Sequence, residues 1–354
     1  MTFVFLGKYL LNLFVPTSLG SDFGFNQVPV VGFGNWQVLL SAILYIGMGI
    51  FALWKIKDKN LASFGILFFL ITFAPLSNFI IKIGTGYGDR MVYIPSLGFI
   101  IAMVYFALKI SGVDLNDSRA SLGKLFQKYI GSMVLIGIFV LMYAYQTIDR
   151  NQYWESSYSL YQEDVKVSPN SAKLRYHYAL EIAKRGLDAS DKSEKRKWFD
   201  EAKKQLDKAV EIYPTYHDAY AQMGLYYYRI NDRPKAMEMY QKSIDLKPNS
   251  PKSYSNMGIL YFENNDIDNA QRVYEKAVKL DPRFVDARRN LGSVYARKKE
   301  FTKAIVQFTA ALEYAKDDAT INFYLGSSYR DSGNPAKGKP YLDKACALDK
   351  QFCR

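Results

Sequence analysis

The sequence predicts an all-α protein in which multi-pass transmembrane helices precede a solenoid of helical repeats. The first observation behind this prediction is a change of composition near residue 150. Residues 1–150 contain no Glu and are dense in Phe, Leu, Ile and Gly, whereas residues 151–354 are rich in Lys, Glu, Asp, Tyr and Ala. The second observation is a repeat with a period of about 34 residues in the C-terminal half.

Four apolar stretches are long enough to be membrane spans. A helix needs about 20 mostly apolar residues to cross the hydrocarbon core. This requirement is met by residues 36–54, 61–79, 91–108 and 129–147. Segment 2–15 is apolar but short, and Lys8 and Pro16 interrupt it, so we expect an interfacial helix or part of a span there. Residues 1–148 are therefore the predicted membrane domain.

The Lys and Arg residues of the short loops predict the orientation of these spans. Cations cluster in alternate loops, at Lys55, Lys57 and Lys59 and at Lys109, Arg119, Lys124 and Lys128. The intervening loops, 17–35 and 80–90, contain only Lys82 and Arg90. We therefore expect an integral multi-pass protein in which everything after Ile148 is extracytoplasmic. In a bacterium the membrane is then the inner membrane.

The repeats have small residues at equivalent places. A Gly recurs at Gly224, Gly258, Gly292 and Gly326, and a second small residue recurs at Ala236, Ala270, Ala304 and Gly338. This is the tetratricopeptide (TPR) pattern, in which two helices cross closely and neighbouring units bury each other's apolar faces. We place the solenoid in residues 171–354, after a connecting helix in 149–170. The predicted repeats are 172–216, 217–250, 251–284, 285–318 and 319–352.

The first repeat has an insert of charged and polar residues within "KRGLDASDKSEKRKW". Its composition is compatible with longer helices or with a loop.

TPR solenoids present a groove that can bind an extended peptide or a partner helix. In this register the residues of the first helix of each repeat that face the groove include Tyr228, Arg229, Ser255, Phe262, Arg289, Arg297, Phe323 and Arg330. This aromatic and basic set predicts a protein-binding surface; the alternative is an ordinary solvated face. Leu225 and Ile259 stand where a clamp for a C-terminal carboxylate would have Asn, which argues against that mode of binding.

The stretch "GDRMVYIPSLGF" places Asp89 and Arg90 at the external end of a predicted span. Arg90, backed by Lys82, could bind the phosphate of a lipid-linked sugar, because a guanidinium group matches phosphate geometry. Alternatively, Asp89 and Arg90 pair locally, or Arg90 reaches lipid headgroups.

Other kinds of site have no support in the sequence. It shows no catalytic triad, metal-ligand cluster or cofactor motif. The net charge of +12 does not indicate nucleic-acid binding, because the C-terminal cations alternate with acids as on solvated helix faces. Cys346 and Cys353 would be too far apart for a disulfide on one straight helix, whereas a turn after Leu348 could join them. Both possibilities, a disulfide and two unpaired thiols, remain open at this point.

The order of these elements resembles a known family. Segments "FFLITFAPLSNFI" and "GDRMVYIPSLGF", a span, "RNQYWESSYSLYQEDVKVSPNSAKLRYHYA" and tandem repeats together resemble the transmembrane-and-tetratricopeptide (TMTC) proteins and their bacterial relatives. That family is assigned to the GT-C glycosyltransferases and includes protein O-mannosyltransferases. The resemblance implies a polyprenyl-phosphate sugar as donor and protein hydroxyls as acceptors.

The resemblance covers the C-terminal half of such an enzyme. GT-C enzymes have their catalytic acid in the first external loop, upstream of the region that this chain resembles. We therefore assign no catalytic residue. Either a longer chain or a partner supplies the N-terminal catalytic half, or the lineage has kept the anchor and the repeats and lost the chemistry.

Two functions follow as hypotheses. The first is the C-terminal part of a membrane protein O-glycosyltransferase, with extracytoplasmic repeats that bind acceptor proteins. The second is a non-catalytic membrane-anchored TPR scaffold for protein assembly. The sequence leaves open whether the chain takes part in an enzymatic reaction.

Overall fold

The computed structural model describes residues 2–15, 34–77, 93–110 and 129–353, and the side chains of residues 2–5, 76 and 77 are excepted. All the regular secondary structure in these residues is helical. Contacts divide the chain into two compact units, one ending at Tyr213 and the other starting at Pro214. Each unit is described by itself.

The first unit starts with apolar helices: α1 (Thr2–Phe14), α2 (Trp36–Trp54), α3 (Leu61–Phe73), α4 (Tyr93–Ile110) and α5 (Ile130–Asn151). Asn35 and Asn60 start α2 and α3, because each side chain accepts a backbone N–H two residues later, at 2.9 Å. In the described residues, three helical segments are long and apolar enough to cross a membrane: Trp36–Trp54, Tyr93–Ile110 and Ile130–Glu155, the last including the turn after α5.

Helix α3 is shorter than the span predicted for residues 61–79. It has 13 residues and continues as a 3₁₀ turn, Ala74–Ser77. Pro75 explains the change, because it has no N–H to donate to the carbonyl of Ile71 and its ring crowds the preceding turn. The described residues contain three helical segments of spanning length, and the span predicted for residues 61–79, which ends outside the described residues, stays a prediction.

Helices α3 and α4 cross through two glycines. A Cβ on Gly65 would lie 2.6 Å from the carbonyl oxygen of Gly98, and a Cβ on Gly98 would overlap the backbone of α3. Phe69 and Phe73 of α3 are buried with Leu6, Tyr9 and Leu13 of α1. Small residues at the crossing and rings beside it bring the apolar helices into contact.

The first unit continues with α6 (Ser157–Val167), α7 (Ala172–Asp188) and α8 (Lys192–Ile212). Arg150, at the end of α5, forms an ion pair with Asp164, whose side chain is completely buried. Val167 packs against the apolar cluster of α1 and α3. These contacts attach α6 to the apolar helices, which agrees with a first compact unit that extends to Tyr213. The predicted domain boundaries near 148–170 stay a prediction.

The charged insert of the first repeat is helical. It extends α7 to 17 residues and α8 to 21 residues, and only residues 189–191 lie between the two helices. Asp191 begins α8, because its carboxylate accepts the N–H of Glu194 at 2.7 Å. Of the two predicted possibilities, the structure therefore has longer helices instead of a long loop.

The second unit contains four helix pairs. Their helices are α9 (His217–Arg229), α10 (Arg233–Leu246), α11 (Pro251–Glu263), α12 (Ile267–Leu280), α13 (Val285–Arg297), α14 (Phe301–Leu312), α15 (Ala319–Asp331) and α16 (Pro335–Leu348). The first helix of each pair starts at the first residue of a predicted repeat.

A left-handed residue separates the two helices of every pair. Asn231, Asn265, Lys299 and Gly333 have φ values of 66°, 62°, 61° and 84°. In the first pair, Asn231 N–H donates to the Tyr228 carbonyl and Asp232 N–H donates to the Tyr227 carbonyl. These bonds use carbonyls that the end of a helix leaves unpaired, so the chain reverses direction at the same place in the four repeats of the second unit.

Candidate protein-binding groove

The residues predicted to face the groove lie on the first helices of the pairs, α9, α11, α13 and α15. Gly224, Gly258 and Gly292 face the rings of Tyr240, Tyr274 and Phe308, where an added Cβ would lie 2.5–2.6 Å from ring carbons. One side of each first helix is therefore packed tightly onto its own second helix. The predicted groove residues lie on other sides of these helices.

Glu263 connects the first two repeats of the second unit at the ends of their first helices. Tyr228 donates its O–H to Glu263 Oε1 at 2.6 Å, and Arg233 forms an ion pair with the same carboxylate. The Arg233 guanidinium also lies 5.3 Å from the centre of the Tyr228 ring. The hydrogen bond to Glu263 is the main cause that raises the pKa of Tyr228, and partial burial raises it further. The phenol is therefore held in its neutral, donating form.

Arg297 connects the second and third repeats of the second unit in a similar position. Its Nη2 donates to Asn265 Oδ1 at 2.8 Å, and its guanidinium lies 5.5 Å from the centre of the Phe262 ring. Lys298 donates to Asp268 Oδ1 and to Gln271 Oε1, each at 2.9 Å. Cations of one repeat thus hold side chains of the preceding repeat.

Arg229 lies exposed in the last turn of α9. Arg289 is partly exposed and pairs with Asp286 at 2.9 Å. Arg330 is exposed and pairs with Asp331 at 2.9 Å. The predicted cations thus carry acidic neighbours in at least two repeats, which reduces the positive charge that the surface offers to a partner.

Ser255, which is predicted to face the groove, is buried. Only 3% of the surface of Ser255 is exposed. Phe323 stands two repeats later in the same register and is partly exposed, with its ring stacked on Phe352 at 4.9 Å. The difference follows from size, because the small serine is covered by its surroundings whereas the larger ring extends to the surface.

The sequence reasoning missed Glu263, Arg233 and Asn265. Glu263 occupies the register position of Arg229, Arg297 and Asp331, so the alternation of cations and acids at this position was the available signal. The contacts of Arg233 and Asn265 join adjacent repeats, and a comparison within single repeats does not show them.

Lys82, Asp89 and Arg90 lie outside the described residues, so their role at a lipid phosphate stays a prediction. Within the part of the chain that the structure describes, no group of three or more His, Cys, Asp or Glu side chains could hold a metal ion.

Cys346 and Cys353 form a disulfide, with their Cα atoms 4.5 Å apart. Helix α16 ends at Leu348, and a 3₁₀ turn, Lys350–Phe352, brings the chain back. The structure thus has the turn that the disulfide requires, and the alternative of two unpaired thiols is wrong.

These features define a class: an all-helical protein in which apolar helices are joined to TPR helix pairs. Tetratricopeptide repeat models match residues 256–308 and 319–352, and a TPR repeat model matches residues 224–265.

The relatives found by sequence are protein O-mannosyl-transferases. TMTC1 of Mus musculus is 26% identical over 220 residues, which are 60% of this chain and 21% of that protein. TMTC3 of Homo sapiens is 25% identical over 232 residues, 64% of this chain and 23% of that protein. The chain therefore spans between a fifth and a quarter of the length of these relatives. It is a TPR-containing protein related to the TMTC proteins, and its repeat region resembles theirs.

Solved structures of low identity also match. One is the structure of YrrB, described as a TPR protein with an unusual peptide-binding site. It is 19% identical, with a TM-score of 0.41, and the match covers 54% of this chain and 92% of YrrB.

Proposed function

We propose that this chain is the membrane-anchored, partner-binding part of a protein O-glycosyltransferase that uses a lipid-linked sugar. Its TPR helices bind the polypeptides that receive the sugar. The observation that carries the proposal is the joining of apolar helices to TPR pairs through Arg150 and Asp164, in a chain whose relatives are protein O-mannosyl-transferases. An anchor of this kind keeps bound polypeptides close to the membrane, where a lipid-linked donor is found.

The disulfide supports an extracytoplasmic location for the repeats. Disulfides persist in oxidising compartments and are rare in the cytosol. Cys346 and Cys353 are the only cysteines of the chain, and they are paired. The pairing agrees with the orientation that the loop cations predict.

The aromatic and basic side chains predicted to line the groove support the proposal that it binds polypeptides. Aromatic side chains such as Tyr228, Phe262 and Phe323 are partly exposed, and rings give large contact areas at little conformational cost. The ion pairs between neighbouring repeats keep the surface ordered before a partner arrives, which reduces the entropy lost on binding.

A photo-crosslinking amino acid tests polypeptide binding. We expect the crosslinker at Arg330, which is exposed on α15, to capture extracytoplasmic proteins in intact membranes. The same crosslinker at Val306, which is 57% exposed on α14, is the matched control on a second helix. Equal capture at the two positions would contradict a groove that selects partners.

Glycosylation is tested separately. Deletion of the gene should lower Ser- and Thr-linked glycosylation of extracytoplasmic proteins, as measured by intact-glycopeptide mass spectrometry. The intact chain should restore it and the R90A variant should restore less, because a neutral side chain cannot bind phosphate electrostatically. Unchanged glycosylation with preserved crosslinking would replace this proposal with the membrane-anchored scaffold.

A further inference from the structure

Helices α1 and α2 lie side by side in a defined register. Tyr45 donates its O–H to the Leu6 carbonyl at 3.0 Å, and a Cβ on Gly7 would overlap the hydroxyl of Ser41. The two helices are therefore antiparallel. The end of α1 and the start of α2, at Trp36, thus lie at the same end of the pair.

A groove of about 390 Å³ runs between these two helices. Its walls are mainly apolar and include Leu10, Leu11, Leu40 and Leu44. The hydroxyl of Ser41 also lines it, but this hydroxyl donates to the Gln37 carbonyl at 2.7 Å. The groove is therefore wide enough for a hydrocarbon chain and offers such a chain an apolar lining.

Lys8 is the charged residue of this groove. It forms no ion pair or hydrogen bond with any residue that the structure describes. A cation in the apolar part of a membrane needs a counter-charge, and a long lysine side chain reaches towards the interface to find one. Gly7 lies beside Ser41, one to two turns from Trp36, and Lys8, Trp36 and Gln37 all line the same groove. Trp side chains prefer the headgroup level.

We propose that the α1–α2 groove binds an anionic glycerophospholipid. The lipid phosphate pairs with the Lys8 ammonium beside Trp36 and Gln37, and one acyl chain lies along the leucines. Charge complementarity selects this occupant, because an apolar helix in the groove would leave Lys8 unpaired. The proposal concerns a lipid of the surrounding bilayer and does not depend on glycosyl transfer.

The fluorescence of Trp36 can report lipid binding, since this side chain lines the groove and is 68% exposed. The full chain carrying W54F, W154F and W198F keeps Trp36 as its one tryptophan. In phosphatidylcholine vesicles, we expect dibrominated phosphatidylglycerol to quench Trp36 fluorescence at lower mole fractions than dibrominated phosphatidylcholine does. Equal quenching by the two bromolipids would overturn the proposal.

Substitutions at Lys8 test the charge. In the same background K8Q should weaken the apparent affinity for brominated phosphatidylglycerol about fivefold, the effect of one lysine near an anionic membrane surface, whereas K8R should retain it. K109Q removes a lysine from the last turn of α4 and is the matched control, with no expected change. Equal loss in K8Q and K109Q would show only general attraction of anionic lipid and would overturn the site.

A second variant tests the groove without changing the charge. L40F places a larger side chain in the lining and narrows the groove. It should also abolish the preference for phosphatidylglycerol, although Lys8 is present. Circular dichroism that matches the starting protein would show that the helices are intact. An unchanged preference in folded L40F would mean that no acyl chain occupies the groove, and the proposal would fail.

Discussion

The apolar helices of the first unit and the TPR helices of the second unit both contain crossings at glycine, but different groups fill the space beside the glycine. Gly65 and Gly98 bring the backbones of α3 and α4 together, whereas Gly258 faces the ring of Tyr274. Lipid tails are as apolar as leucine, so helices in a bilayer associate through close backbone packing. In water, burial of a ring is itself favourable. The same residue type therefore serves two different kinds of packing.

The largest expected loss of stability is at the ion pair between Arg150 and Asp164, which attaches α6 to the end of the apolar helix α5. D164A leaves the guanidinium of Arg150 without its partner in a site where that side chain is only 13% exposed. Loss of one partner of a buried pair costs about 3–5 kcal/mol. Limited proteolysis in detergent should therefore show faster cleavage between α5 and α7. The control D200A, which breaks the exposed pair with Arg196, should change stability by less than about 1 kcal/mol.

A substitution at the membrane crossing should have the next largest effect. In G65A the new methyl group meets the backbone of α4, which cannot rotate away as a side chain can. We expect a cost near the upper end of the ~1–3 kcal/mol for overpacking, measured by unfolding in mixed detergent and SDS. G47A is the matched control, because nothing lies within 4 Å of its added Cβ. Equal effects of G65A and G47A would contradict the close crossing.

The corresponding change in the repeats should cost less. In G258A the Cβ would lie 2.6 Å from Tyr274 Cε1, and the ring can shift to relieve part of the overlap. We expect about 1–2 kcal/mol, read from urea unfolding of the full chain by circular dichroism. K252A, at an exposed position of the same helix, should stay within about 0.5 kcal/mol. A larger loss in G258A than in G65A would reverse the comparison between the two regions.

Reduction of the disulfide should affect only the last repeat. The Cys346–Cys353 link closes a short loop, for which constraint of the unfolded chain contributes about 2 kcal/mol. Hydrogen exchange should become faster in α15 and α16 after reduction, because the turn that holds Phe352 against Phe323 is released. The C346S/C353S variant should match the reduced protein. Faster exchange throughout the second unit would show instead that the repeats unfold as one body.

The smallest effect is expected at the groove. Y228F removes a hydrogen bond to Glu263, which keeps its pair with Arg233, so we expect a loss of about 0.5–1 kcal/mol below pH 9. The pKa of Tyr228 is raised from 10.0 in the folded state. Its contribution is therefore complete below pH 10 and is lost as the pH rises through the folded-state pKa. Between pH 9 and 11, stability should fall less steeply in Y228F than in the starting protein.

The sequence by itself determined the repeating architecture. The spacing of Gly224, Gly258 and Gly292 predicted where the helices cross, because only a small residue fits against the facing ring. The apolar runs predicted α2, α4 and α5, because hydrophobic length is a local property of the chain. The same period gave the predicted groove residues, a set that lacked Glu263 and that stays a prediction.

Only the tertiary structure decided the features that depend on distant partners. The burial of Ser255, the pairing of Arg150 with Asp164 and the attachment of Val167 to α1 and α3 all depend on which helices meet. The disulfide required the turn after Leu348 to bring two Cα atoms within 4.5 Å. A local period predicts which face of a helix is buried, but the identity of its neighbour is set by the contacts between helices.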